Sequence, residues 1–229
     1  MRILAVDSSA LTASAAVLED GIIKGEFSQT TSLTHSQTLM PMIDTLLRAL
    51  KLSPNDIDVF ACANGPGSFT GLRIGIGTVK GLAYGADKGA VGVCTLEALA
   101  YNVMLSPFQI APVMDARRAQ VYNALYKNDG GRLVCKSAPR AISVEDLCAE
   151  ITEKTVFVGD GVFAYKDKLV QLLGDKCIFA PPQMLLQRAA SAAFAASFKT
   201  AVSPAELDAF YLRKPQAERE REEKIKNSL

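Results

Sequence analysis

Between Val59 and Gly75 the chain runs without a spare residue from an apolar stretch into a glycine-rich turn and straight on into a helical pattern. The apolar stretch is Val59-Phe-Ala-Cys-Ala63, and the turn and helix start read Asn64-Gly-Pro-Gly-Ser-Phe-Thr-Gly-Leu-Arg-Ile-Gly75. That order spells a strand, a tight turn and a helix N-terminus, the unit from which α/β folds are built. The turn residues Gly65, Gly67, Ser68, Thr70 and Gly71 could aim unpaired N–H groups, with the positive end of the helix dipole behind them, at an anion. No Gly-Lys-Ser/Thr closes the turn, so it is not a P-loop, and its glycines lack the dinucleotide-binding spacing. On the residues alone, a bound anion and a purely structural turn are both open.

Around this junction the periodicities predict an order of elements that occurs twice. Arg2–Ser9, Thr12–Leu18 and Ile22–Thr31 read as strands, the last two joined by a hairpin at Asp20-Gly21. A helix is predicted over Ser36–Leu52, with Leu39, Ile43, Leu46 and Leu50 on one face and Pro41 near its first turn or at a kink. Ile57–Ala63 is the strand before the glycine-rich turn, and a helix from about Thr70 to Ala86 comes after it. Strand Gly89–Cys94 and helix Thr95–Met104 come next. After Ser106-Pro107 the order restarts, with strands at Ile110–Asp115, Gln120–Tyr126 and Leu133–Arg140 and a turn at Asp129-Gly-Gly131. A helix over Ser143–Glu153 is capped by Ser143, with Asp146 at its third position. Strand Thr155–Val158 and helices Val162–Leu173 and Leu185–Phe198 complete the series. Two similar α/β lobes with a cleft between them are expected, 1–105 and 106–229, and the charged stretch Ala217–Asn227 reads as a solvated end.

A chain of 229 residues, 49% of them hydrophobic, can bury the core that two such lobes need. Its net charge of +1 argues against a surface that grips RNA by charge alone. The cysteines number five, scattered mostly through apolar runs with no Cys-x-x-Cys pair, and read as buried thiols in a reducing cytoplasm. Neither a leader peptide nor a membrane-spanning run is expected from the sequence.

Candidate chemistry sits at the strand ends. Asp7, with Ser8 and Ser9 after it, ends the first strand of one half, and Asp115 ends the first strand of the other. Facing one cleft, the two carboxylates would suit a magnesium–nucleotide site; capping their own turns is the alternative. His35 is the only histidine, which excludes a histidine-built metal site, and no Gly-x-Ser-x-Gly elbow surrounds Ser68. His35 therefore reads as a capping or surface residue. In the helix after the turn, Gly77, Gly81 and Gly85 are four residues apart and share a face. Each interior glycine costs about 1 kcal/mol against alanine, so something should offset the set. Close approach of another helix would do so, either the Leu39–Leu50 helix of the same chain or one from another protein.

The segment Asn64–Gly75 resembles the signature of the bacterial TsaB (YeaZ) family, and Ile3-Leu-Ala-Val-Asp-Ser-Ser9 and Pro112-Val-Met-Asp-Ala-Arg117 resemble that family too. The resemblance implies two actin-like ATPase (ASKHA-type) lobes, each a mixed sheet with flanking helices. In such ATPases a strand-end Asp at the place of Asp7 lies near the phosphates and their metal. The resemblance also implies a non-catalytic scaffold or activator in forming N6-threonylcarbamoyladenosine next to the tRNA anticodon. The catalytic relative, TsaD, has a metal site built on two histidines four apart, and in the matching stretch Gly92-Val-Cys-Thr-Leu-Glu-Ala-Leu99 those places hold Thr95 and Leu99. No catalytic residue, metal or required cofactor is therefore expected, with a nucleotide at Asp7, Ser8 and Asp115 as the rival reading. The implied partners are a TsaD-like protein, with a TsaE-like ATPase joining the pair, tRNA only indirectly, and a homodimer when alone. The interface is expected at Leu39, Met42, Ile43, Leu46, Gly77, Gly81 and Gly85. An actin-like ATPase and, further off, a small peptidase are the enzyme alternatives.

Overall fold

The computed structural model describes residues 1–31 and 33–213; the charged stretch 217–227 lies outside the described residues. The first half gives strands β1 (Arg2–Asp7), β2 (Thr12–Glu19) and β3 (Ile22–Thr30), helix α1 (His35–Ala49), strand β4 (Val59–Gly65), helix α2 (Phe69–Gly85), strand β5 (Gly89–Cys94) and helix α3 (Thr95–Tyr101). The second gives β6 (Gln109–Asp115), β7 (Gln120–Asp129), β8 (Arg132–Ser143), α4 (Val144–Glu150), β9 (Thr155–Val158), α5 (Gly161–Leu173), β10 (Cys177–Phe179), α6 (Pro182–Leu185) and α7 (Ala189–Ala196).

The repetition expected from the order of elements is a repetition of topology. One sheet is ordered β3-β2-β1-β4-β5 and the other β8-β7-β6-β9-β10. In each, the first three strands pair antiparallel and the fourth and fifth add in parallel. Asp20 and Gly21 both have positive φ (50° and 80°), as the β2–β3 hairpin turn needs.

Strand β1 is apolar on both faces because both are covered. Leu4 and Val6 pack with Leu39, Ile43 and Leu46 of α1 and Leu72 and Val79 of α2. Ile3 and Ala5 face the other way, onto the alanines of α7. Helix α3 forms the seam: Leu96, Leu99 and Ala100 belong to the core of the second sheet, Ala98 and Tyr101 to the first.

Of the cysteines expected to be buried, Cys62 and Cys148 are, Cys94 and Cys177 are half-buried and Cys135 is exposed; the course of the chain departs from expectation in three places. The helix expected over Leu185–Phe198 is two pieces, α6 and α7. Between them Asn102 Nδ2 donates to the carbonyls of Met184 and Leu186 (2.8 Å each), and buried Gln187 sits where the helix would have continued. Strand β10 has no counterpart among the expected elements; its three residues are too few for a periodicity and are specified by pairing with β9. Finally, the strands divide between the sheets near residue 105, but the chain after 188 returns to the first sheet. Helix α7 packs there, Val202 bridges Ala90, and Leu207 enters the first core.

The glycine-rich turn folds against the β1–β2 turn. Ser68 N–H donates to Ser9 O (2.7 Å) and Ser8 Oγ donates to Gly71 O (2.9 Å). A Cβ on Gly67 would overlap the Ser9 carbonyl oxygen, and one on Gly71 the Ser8 carbonyl oxygen. Backbone cannot rotate out of the way as a side chain can. Gly67→Val should therefore lower stability by about 1–3 kcal/mol in urea melts. Gly77→Ala, where nothing lies within 4 Å of the new methyl, should instead raise it by up to about 1 kcal/mol. Equal melts for Gly67→Val and the parent would show that the turn can move apart without cost.

Candidate functional site

The ends of β1 and β6, the glycine-rich turn and the N-terminus of α5 surround a cleft of about 1040 Å³ between the two sheets. Ser9, His35, Ser68, Asp115, Asp160 and Arg213 are among its lining residues.

The expected residues are placed unequally. Asp7 and Ser8 are fully enclosed, Asp7 at 0% exposure. Asp7 Oδ1 accepts from the Ser9 N–H (2.9 Å) and Ser9 Oγ (2.6 Å), so it does cap its own turn, while Oδ2 has no hydrogen-bond partner. Ser8 is spent on Gly71. Asp115 stands at the cleft surface, accepting from the Arg117 N–H (2.8 Å), with the Arg117 guanidinium at 3.4 Å and Tyr165 Oη at 3.4 Å. His35 opens α1, and its Nε2 lies 2.6 Å from Ala10 O at the cleft rim. Within the turn, the Ser68 and Gly71 N–H groups already have partners in Ser9 O and Ser68 Oγ, which removes two donors from an anion.

The acidic residue that sequence reasoning misses is Asp160. It precedes α5 in Val158-Gly-Asp-Gly161, a strand–glycine–helix junction like that after β4, and that likeness is the signal the sequence offers. Its Oδ1 has no hydrogen-bond partner, and neither amide atom of the adjoining, buried Gln187 has one. Burial pushes the Asp160 carboxyl up to about 6, with backbone amides opposing the rise and the Asp115 charge adding to it. Burial likewise lifts Asp7 to about 6; the Ser9 donors and His35 oppose the rise and Asp160 adds to it. Burial and the Asp7 charge push the Cys62 thiol up to about 12, so it is inert as a nucleophile. Among the described residues no three His, Cys, Asp or Glu side chains come together as a metal site.

The positions matching the relative's histidines are enclosed as well: Thr95 is at 0% and Leu99 at 1% exposure, both held at the seam by α3. Glu97 pairs with Lys199 at 2.9 Å. Leu39, Met42, Ile43 and Leu46, expected to face a partner, are buried, and Leu39, Ile43 and Leu46 belong to the core of the chain's own first lobe. Gly77, Gly81 and Gly85 have nothing within 4 Å of where a Cβ would stand, so α1 is not the helix they accommodate.

A buried, raised carboxyl binds a proton more tightly folded than unfolded, so it costs stability as pH rises from the unfolded value of 3.8 through about 6. Asp7→Asn keeps the acceptor for Ser9 and removes the charge. It should raise stability by up to about 3 kcal/mol near neutral pH, with the gain fading by about pH 4. Urea melts of both proteins at the two pH values check this, and a loss of stability at neutral pH would mean that the carboxylate has a counter-charge.

A profile described as "TsaD: tRNA N6-adenosine threonylcarbamoyltransferase" matches residues 24–219. The tRNA threonylcarbamoyladenosine biosynthesis protein TsaB of Bacillus subtilis is 32% identical over 221 residues, 95% of this chain and 96% of that one. The protein of the same name from Escherichia coli is 34% identical over 173 residues, 73% of this chain and 74% of that one. The solved structure of YeaZ from Pseudomonas aeruginosa superposes with a TM-score of 0.80 at 25% identity, covering 92% of this chain and 99% of that one. Two mixed five-stranded sheets of one topology, flanked by helices around a cleft, make the two-lobe ASKHA-type fold. With relatives matched over nearly its whole length, the chain belongs to the TsaB (YeaZ) family, whose curated members are named for tRNA threonylcarbamoyladenosine biosynthesis.

Proposed function

We propose that this chain is a non-catalytic subunit in the formation of N6-threonylcarbamoyladenosine in tRNA, and that it acts by docking a TsaD-like transferase on the exposed face of α2. The observation that carries the reading is the open glycine face at Gly77, Gly81 and Gly85. Three such helical glycines cost about 3 kcal/mol together against alanine, and no internal neighbour uses the room they leave. Backbone bared along a helix lets a partner's helix come close. Exposed Met40 on α1 and Tyr84 on α2, at 46% and 59%, add apolar surface. The family membership supplies the pathway, and the match to a transferase profile supports a transferase-like partner built on the same fold.

A scaffold role also agrees with the chemistry of the chain's own residues. Leucine at 99 has no ligating atom, and Asp7 and Ser8 are turned to the chain's own turns rather than to the cleft. A TsaE-like ATPase would join the pair, tRNA would be contacted by the partner, and the same open face would pair two copies of the chain when it is alone. No described helix is long and apolar enough to cross a membrane; a cytoplasmic site of action is proposed with the pathway. The rival enzyme reading, an actin-like ATPase, draws on one observation, the unpartnered oxygens of Asp7 and Asp160.

Gly81→Leu tests the docking face. Because nothing occupies the space beside Gly81, the variant should fold and melt like the parent, yet fail to co-elute with a TsaD-like protein on size exclusion. Normal co-elution of the folded variant would place the interface elsewhere. The purified chain alone should show neither ATP hydrolysis nor threonylcarbamoyl transfer to tRNA above background. Turnover lost in Asp7→Ala would favour the ATPase reading.

A further inference from the structure

Near its described end the chain bridges the cleft. After the 3-10 turn Pro204–Glu206, Leu207 is buried in the first core with Ala209 packed against it, and Phe210–Arg213 then line the cleft. Two hydrogen bonds tie its start to the end of β4: the Phe210 N–H donates to Asn64 O (2.8 Å), and Asn64 Nδ2 donates to Asp208 O (3.0 Å). Gly65 makes this possible. Its φ is +133°, and a Cβ there would overlap the Phe210 carbonyl oxygen. The Tyr211 ring packs on Phe69 at the head of α2, with centroids 5.1 Å apart. All of these anchors belong to the first lobe.

The far end is attached to the other lobe. Arg213 Nη1 donates to Ala116 O (2.9 Å), and its guanidinium stands 5.9 Å from the Tyr122 ring centroid. Ala116 begins the β6–β7 turn, where Arg117, Arg118 and Ala119 have φ of 63°, 55° and 56°. Left-handed backbone in three consecutive residues with side chains is unfavourable for each of them, so the turn needs holding. Phe210, Tyr211, Leu212 and Arg213 all line the cleft. The two ends are held unequally: Phe210 and Tyr211 are more than half covered (39% and 37% exposed) and Asp208 Oδ1 lies 3.7 Å from Lys80 Nζ, whereas the far end is held through Arg213 by one hydrogen bond and a ring contact, so release begins there.

From this geometry we propose that Asp208–Arg213 is a releasable strap across the cleft, anchored on the first lobe and hooked to the second by Arg213, and that its release admits a ligand to the cleft. The lobes keep their own cores and the α3 seam when the strap lets go, so opening is local. Asp115 and Asp160 line the same cleft as Phe210–Arg213. The strap meets α2 at Phe69 and, through Asp208, at Lys80, and leaves the space beside Gly77, Gly81 and Gly85 open.

Hydrogen exchange on the full-length protein tests the strap, with Arg213→Ala releasing the hook and Tyr211→Ala releasing the anchor. In Arg213→Ala, exchange should be at least about tenfold faster in peptides covering 208–213, 115–120 and 160–164, with exchange in β1 and β4 and the melting midpoint unchanged. Tyr211→Ala should speed the same three regions. Faster exchange spread through both sheets, or a fall in melting temperature matching the change, would make the segment an ordinary part of the core and overturn the strap. Unchanged exchange at 115–120 and 160–164 in both variants would overturn it as well, because the cleft would then be indifferent to the segment.

Discussion

The close approach of two turns, Asp7-Ser8-Ser9 and Asn64–Gly71, fixes the arrangement of the first lobe. The contact is made largely through backbone. Ser9 O takes the Ser68 N–H, Ser8 Oγ reaches Gly71 O, and on Gly75 a Cβ would come 2.6 Å from Ser8 Oγ. With this seat fixed, α2 lies over β1 and β4, and Leu72, Ile76 and Val79 share one core with Val6 and Phe60. The same contact enfolds Asp7. A carboxylate at the end of β1 becomes a sealed group because the turn beside it is occupied by the chain itself.

The two halves share a topology and use it differently. The turn after β9, Gly159-Asp160-Gly161, is the counterpart of the glycine-rich turn after β4 and sets Asp160 at the cleft, and at the ends of the first strands Asp115 lines the cleft where Asp7 is buried. Symmetry is also broken by the return of the chain to the first sheet. Helix α7 covers the face of β1 opposite α1 and α2, using alanines where a larger residue would hold the layers apart. The lobes are thus joined at the back by α3 and by Arg132 of β8 over the Phe198 ring, and at the front by Arg213.

Most of the elements are legible in the sequence because each owes its form to local pattern: apolar runs for β1 and β2, Asp20-Gly21 for the neighbouring hairpin, Ser143 for the start of α4. The misread features depend on distant partners. Met42, expected at a partner surface, is buried, as is Leu47, because α1 packs on both a sheet and α2 and so needs a wider apolar face. The break between α6 and α7 is imposed by Asn102, more than eighty residues away. Of the candidate site, Asp115 is legible from its place at a strand end, whereas Asp160 hides in a junction of the same kind. The segment Asp208–Arg213 carries no periodic signal; its conformation comes from Asn64, Phe69 and Ala116.

The glycines divide by environment into two populations that the sequence shows as one series. Gly67, Gly71 and Gly75 are required by the groups that lie against them, and Gly77, Gly81 and Gly85 by nothing within the described chain. The first set stabilises the lobe through a contact that a side chain would block. The second costs stability with no internal return. A helix that carries both therefore links the sealed Asp7 turn at one end to an open surface along the rest. Its head is also where Tyr211 rests on Phe69, so the strap and the open face are read by one rigid element. The head of α2 is therefore seated on the Ser8–Ser9 turn and packed under Tyr211, while the glycine face along the same helix stays open.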